Sequence, residues 1–144
     1  MEFVNEILKE KGHEVLSVTP ETSVFEALKL MANKNVGSLL VLENDQMIGL
    51  FSERDYARKV ILKGKSSRDT PVREIMSSRV VYVRPNQTVE ECMALMTDKR
   101  VRHLPVMEDK QLVGLISIGD VVKAIIFERE FLIHQLENYI TGDR

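Results

Sequence analysis

A chain of 144 residues is the size of one typical domain, and a hydrophobic content of 44% supplies enough apolar side chains for a compact core. Lys and Arg number 20 against 22 Asp and Glu, so the net charge of −2 lacks the basic excess of proteins that grip nucleic acid through phosphates. The longest uninterrupted apolar runs are a few residues, against the ~20 needed to span a bilayer, and the single cysteine, Cys92, excludes an internal disulfide.

In chain order, Val4-Asn5-Glu6-Ile7-Leu8 predicts a short helix, with no charged lead into an apolar signal-like run. The expected setting is therefore the reducing cytoplasm. Val15 to Val18 reads as a short strand ended by Pro20. Val24, Leu28 and Met31 follow at spacings that place them on one face of a helix, with Thr22 or Ser23 as its cap. Val36 and Leu39 to Leu42 predict a buried strand, Asn44-Asp45 a turn, and Met47 to Phe51 the returning hairpin strand. Ser52 begins a second helix whose inner face is expected to include Tyr56, Val60 and Ile61. A polar connector, Lys63 to Pro71, leads to a short helix over Pro71 to Met76.

The remainder repeats this order. A shift of 65 positions lays Val15 to Leu62 over Val80 to Phe127 without a gap, and more than a third of the paired residues are identical, including Pro20 with Pro85, Gly49 with Gly114, Ser52 with Ser117 and Asp55 with Asp120. Each copy is strand, helix, strand, strand, helix, the second running through 80–83, 89–99, 104–107, 112–116 and 117–127. A unit of under fifty residues has too little apolar area for a core of its own, so the two copies are expected to pack as one domain, 1–144. Beyond Phe127, a helix over 128–142 carries Phe131, Leu132, Leu136 and Ile140, an apolar stripe for packing on the domain or on a second subunit.

The chemistry concentrates where each hairpin meets its last helix, at Ser52-Glu53-Arg54-Asp55 and Ser117-Ile118-Gly119-Asp120. A hydroxyl at the strand end and a carboxylate three residues on lie about one turn apart and point into the same cleft. The helix N-terminus suits a phosphate, and the carboxylate can accept both hydroxyls of a ribose. Val36 and Phe51 in the first copy, with Val101 and Ile116 in the second, are the expected walls of an apolar slot for a base. The plainer readings are first-turn acids answering the helix dipole and ordinary serine caps.

Gly49-Leu50-Phe51-Ser52-Glu53-Arg54-Asp55 and Gly114-Leu115-Ile116-Ser117-Ile118-Gly119-Asp120 resemble the signature that closes a CBS motif, and Arg102-His103-Leu104-Pro105-Val106 resembles that family's second strand. The resemblance covers nearly the whole chain and is nearest to bacterial stand-alone CBS-pair proteins. It implies an α/β fold in which two CBS motifs, 15–62 and 80–127, each β-α-β-β-α, pack pseudo-symmetrically into one Bateman module between a short N-terminal and a longer C-terminal helix. It further implies a homodimer and a regulatory adenosyl ligand such as AMP, ADP, ATP or NAD, sensed on behalf of a separate, unidentified protein.

By the same resemblance, Ser117, Asp120, Ser52 and Asp55 contact phosphate or ribose, and Arg102 and His103 reach phosphates. The first-copy counterparts of that basic pair are Gly37 and Ser38, so the sites differ. Arg54, where the second copy has Gly119, is an expected phosphate contact, and Thr19, where the second copy has Arg84, a base or ribose contact.

Three function classes follow. A ligand-responsive module is favoured by the paired motif. An enzyme is disfavoured: His13, His103 and His134 are scattered without metal-ligand spacing, and there is no Gly-rich phosphate loop or nucleophile elbow, so neither catalytic residues, a catalytic cofactor nor a metal is expected. The third class is a ligand-independent scaffold, or a binder of S-adenosylmethionine or RNA, the last opposed by the charge balance.

Overall fold

The first motif folds as its hydrophobic periods require. Ser23 ends an extended stretch and its hydroxyl accepts the Glu26 N–H, starting helix α2 (Val24–Lys34). Asn35 takes a left-handed conformation and stops it. Strands β1 (Ser17–Val18), β2 (Ser38–Glu43) and β3 (Gln46–Ser52) form one sheet in that order, β1 parallel and β3 antiparallel to β2. Asn44 and Asp45, both at positive φ, close the hairpin in the two-residue turn whose twist matches that of its strands. Helix α3 (Glu53–Tyr56) runs on into a π-helical turn, Ala57–Ile61. That widened turn carries Val60 into the core and leaves Ile61 56% exposed, where an α-helical reading put both inside.

This computed structural model describes residues 2–141, and they divide into two compact units. Val15–Val80 form one, cored by Val24, Met31, Leu39, Val41, Phe51, Val60, Val72 and Ile75. The other joins the N-terminal residues through Glu14 to those from Val81 on. It contains α1 (Val4–Lys11), α4 (Val89–Lys99), β4 (His103–Glu108), β5 (Gln111–Ser117) and α5 (Ile118–Thr141) around a core that includes Val4, Leu8, Val83, Cys92, Leu104 and Ile116. Helix α5 absorbs the expected C-terminal helix without a break, and Gly142, the end of that expectation, lies outside the described residues.

The expected strand over 80–83 shrinks to one parallel bridge, Val83 to Val106, leaving β4 and β5 as a two-stranded sheet. One residue accounts for it. In the first motif the Leu40 N–H donates to Leu16 O at 3.3 Å; its counterpart in the second is Pro105, which has no N–H to give.

The segments that precede each motif pack on the other one. Residues Val72–Glu74 form a 3-10 turn that stays with the first motif: the Val72 and Arg73 N–H groups donate to Thr22 O and Pro20 O, and Ser77 and Leu50 exchange a pair of backbone bonds. Helix α1 docks in the unit of the second motif, with the Val4 N–H donating to Gln87 O and Leu8 against β5. Two glycines permit these approaches. A Cβ at Gly49 would meet Met76 Sδ at 2.5 Å, and one at Gly114 would meet Leu8 Cδ2 at 2.6 Å. Among the described residues no helix is long and apolar enough to cross a membrane.

Candidate functional site

Each strand-to-helix junction is built by the same local logic. Ser52 and Ser117 are the last residues of β3 and β5, and each hydroxyl accepts the N–H of the aspartate three residues on. Each aspartate returns a carboxylate to the serine N–H, at 3.1 Å for Asp55 and 2.8 Å for Asp120, a reciprocal arrangement that satisfies two orphan donors of the helix start. A third bond fixes the approach of the neighbouring strand, from the Glu53 N–H to Gly37 O at 3.1 Å and from the Ile118 N–H to Arg102 O at 2.8 Å. Strand register then sets Ser38 directly opposite Ser52, and His103 directly opposite Ser117.

The carboxylates part company in their remaining contacts. Asp55 is 6% exposed. Its Oδ2 accepts from the N–H and hydroxyl of Ser52, and its Oδ1 accepts from the Ser77 hydroxyl and pairs with Lys59 Nζ, both at 3.2 Å. Lys59 also donates to Ile75 O, tying the π turn to the returning segment. Four donors fill the acceptor capacity of a carboxylate.

Asp120 has 23% of its side chain exposed, and its contacts fall on one oxygen: Oδ2 accepts from the Ser117 N–H and from Lys11 Nζ at 2.6 Å. Among the described residues Oδ1 has no partner. Burial alone would raise this carboxyl, but the Lys11 ammonium and the Ser117 donors outweigh it and hold the group below the ordinary aspartate range. Lys11 also donates to Leu115 O at 2.9 Å, so the end of α1 is pinned across the junction.

The other expected site residues are spread around these junctions. Val36 and Val101 are half-buried against their cores just before β2 and β4. Ile116 and Phe51 are fully covered, because the inward alternation of β5 and β3 turns them into the cores. They back the junctions instead of facing a slot, which corrects the expectation of a wall. Arg102 is exposed and His103 half-buried. Arg54 is exposed in α3, where α5 has Gly119, at which an added Cβ would meet nothing closer than Ser117 Oγ at 3.6 Å. Thr19 is exposed and held in a turn by Thr22. Ser38 is 3% exposed, and among the described residues its buried hydroxyl has no hydrogen-bond partner.

A cleft of about 740 Å³ lies between α1 and α5 beside Asp120, with Lys11, Glu10, Val122, Ile126 and Phe127 in its walls. Of the expected site residues it takes in only Asp120. Sequence reading missed three participants. Lys59 was legible four residues after Asp55 on one helix face; Lys11 and Ser77 carried no local signal. Among the described residues no cluster of His, Cys, Asp and Glu is placed to hold a metal ion.

Comparison with known proteins places this geometry. The sequence model of the family described as CBS domain matches residues 4–62 and 72–127. The mitochondrial CBS domain-containing protein CBSX3 of Arabidopsis thaliana is 39% identical over 148 residues, covering 96% of this chain and 72% of its own length. The structure of a protein with CBS domains from Burkholderia ambifaria superposes with a TM-score of 0.84 at 51% identity, over 86% of this chain and 93% of that one. A hexameric CBS-CP12 protein from bloom-forming cyanobacteria superposes with a TM-score of 0.73 at 31% identity, over 85% and 70%. Two family matches in tandem, each closing on its own Ser-x-x-Asp junction, make this chain a member of the CBS-domain family with the paired motifs of a Bateman module.

Proposed function

We propose that the chain is a non-catalytic regulatory module that senses an adenosyl ligand, seated at the second Ser-x-x-Asp junction, and passes the signal to a separate protein. The observation that carries this reading is Asp120. A partly exposed carboxylate with one oxygen that no described residue engages suits the hydroxyls of a ribose, and Asp55, filled by four donors, does not. Ser117 and the N-terminus of the 24-residue α5 are the phosphate end of the site, reached past the open side of Gly119. Arg102 supplies a positive charge, and His103, directly across from Ser117, a ring nitrogen, where the first motif has Gly37 and Ser38.

AMP, ADP, ATP and NAD share the ribose and base and are the leading ligands, with S-adenosylmethionine behind them because it offers no phosphate. The relatives compared above are named for their CBS domains and not for a reaction, which agrees with a regulatory role. The module is read as a homodimer in the cytoplasm. The ligand acts on a partner to the extent that it prefers one packing of the module over another.

Melting the purified protein against AMP, ADP, ATP, NAD, S-adenosylmethionine and GTP tests the reading, since a ligand that binds only the folded state raises the melting temperature. A shift with one adenosyl compound, lost in Asp120→Ala, is the expected result. No shift with any of them, in protein shown by extraction to carry no nucleotide, would replace the sensor with a ligand-independent scaffold. The saturated Asp55 already favours that second reading for the first motif.

A further inference from the structure

From Ile126 on, α5 exposes more apolar surface than a helix end needs. Ile126, Phe127, Phe131, Leu132, Ile133, Leu136, Tyr139 and Ile140 are all at least half exposed. At 100° per residue, Val122, Ile126, Ile133 and Ile140 share one narrow stripe, and Val121 and Ala124, which are buried in the core, lie on the opposite side of the helix. The stripe therefore turns away from the core, with Val122 and Ile126 also in the wall of the cleft beside α1.

Its order is palindromic about Ile133. Isoleucines stand seven residues before and seven after it, at Ile126 and Ile140, and opposite charges stand four before and four after, at Arg129 and Glu137. We infer that this stripe is a self-association surface that receives the same stripe of a second copy, antiparallel, with the two-fold axis at Ile133. Ile133 then meets its own copy, Ile126 meets Ile140, and Arg129 meets Glu137 at the same height on both sides of the axis. A two-fold contact uses one patch twice, so it requires this self-complementarity, and a foreign partner does not. A parallel pair is disfavoured because it stacks Arg129, Glu130 and Glu137 on their own copies.

The overlap from Ile126 to Ile140 is about 21 Å long at 1.5 Å per residue. Four half-exposed apolar side chains, Ile126, Ile133, Ile140 and, at the edge of the stripe, Leu136, give with the stems of Arg129 and Glu137 roughly 500 Å² per copy, about the 1,000 Å² total that marks the floor of a specific interface. The contact is accordingly a weak one.

The inference rests on the homodimer reading above, and sedimentation of the full chain separates the two. Wild type is expected to associate over the micromolar range. Ile133→Glu, which sets two carboxylates on the axis at a solvent-exposed position, is expected to weaken association by more than tenfold with an unchanged far-ultraviolet spectrum. Arg129→Glu is expected to weaken it several-fold, and Arg129→Glu with Glu137→Arg to restore it.

An Ile133→Cys variant is expected to form a disulfide-linked dimer under mild oxidation while Ile126→Cys does not, Cys92 being buried in both. A dimer untouched by Ile133→Glu would overturn this surface and leave the homodimer standing. A monomer at about 100 μM, where a micromolar dimer is mostly assembled, would overturn both. Self-linking through Cys at 126 would overturn the antiparallel register.

Discussion

The two Ser-x-x-Asp junctions have the same cap, the same register and the same strand-to-helix turn, yet they differ in what finishes the carboxylate. Asp55 draws Lys59 from its own helix and Ser77 from the returning chain, and is buried and filled. Among the described residues Asp120 draws Lys11 from α1 and no second flanking group, which leaves Oδ1 without a partner. A repeated motif thus serves as a structural tie in one copy and as a candidate binding group in the other. The neighbours supplied by the flanking segments decide which.

Removing the two carboxylates is the most direct way to break this comparison. Asp55→Ala is expected to cost about 3 kcal/mol of stability, since it strips three donors of a buried acceptor and leaves the Lys59 charge without its partner; urea unfolding measures it. Asp120→Ala is expected to cost about 1 kcal/mol, the worth of a cap and a half-exposed ion pair. Its larger effect is on ligand affinity, a loss of about 1.5–3 kcal/mol read by titration calorimetry. Equal stability losses in the two variants would show the junctions to be equivalent.

The close approaches sharpen the same contrast. Gly114→Ala is expected to destabilise by about 2–3 kcal/mol, because the new methyl meets the branched, sealed Leu8, whereas Gly49→Ala costs nearer 1–2 kcal/mol against the pliable Met76. Thermal melts of the pair rank them.

A pH series isolates the Lys11 contact. The Asp120 carboxyl is lowered in the folded state, so its contribution is fully present above the unfolded value of about 3.9 and is lost as the pH falls through the lower folded value. The stability gap between wild type and Asp120→Asn should therefore be open at neutral pH and narrow as the pH falls below the ordinary aspartate range. A gap that persists in acid would assign the stabilisation to the cap alone.

The smallest effect separates the hairpins. Both close on two residues at positive φ, Asn44-Asp45 in one and Asp109-Lys110 in the other, and lysine bears that conformation at a cost. Lys110→Gly is expected to stabilise by about 1 kcal/mol, since glycine adopts it freely; calorimetric melting checks it.

Much of this was legible in the residues. Hydrophobic period, turn pairs such as Asn44-Asp45 and hydroxyl caps located the helices and hairpins, and the 65-residue repeat located both junctions. Three features escaped. The strand over 80–83 failed because Pro105 lies opposite it, a partner that strand propensity does not name. Ile61 turned outward because a π turn interrupts the α period. Ile116 was placed on a slot wall although its alternation on β5 runs inward with Gly114.

By itself the sequence determined what depends on near neighbours: the helix, hairpin and closing helix of each unit, their caps and turns, and the aspartates three residues past each serine. Those interactions span a turn or less of chain, so residue type and spacing suffice. Only the tertiary structure decided which flanking segment packs on which motif, and with it the different surroundings of Asp55 and Asp120. The Lys11 to Asp120 pair joins residues 109 positions apart, and at that separation no spacing rule operates. Burial of α1 against Gly114 brings them together.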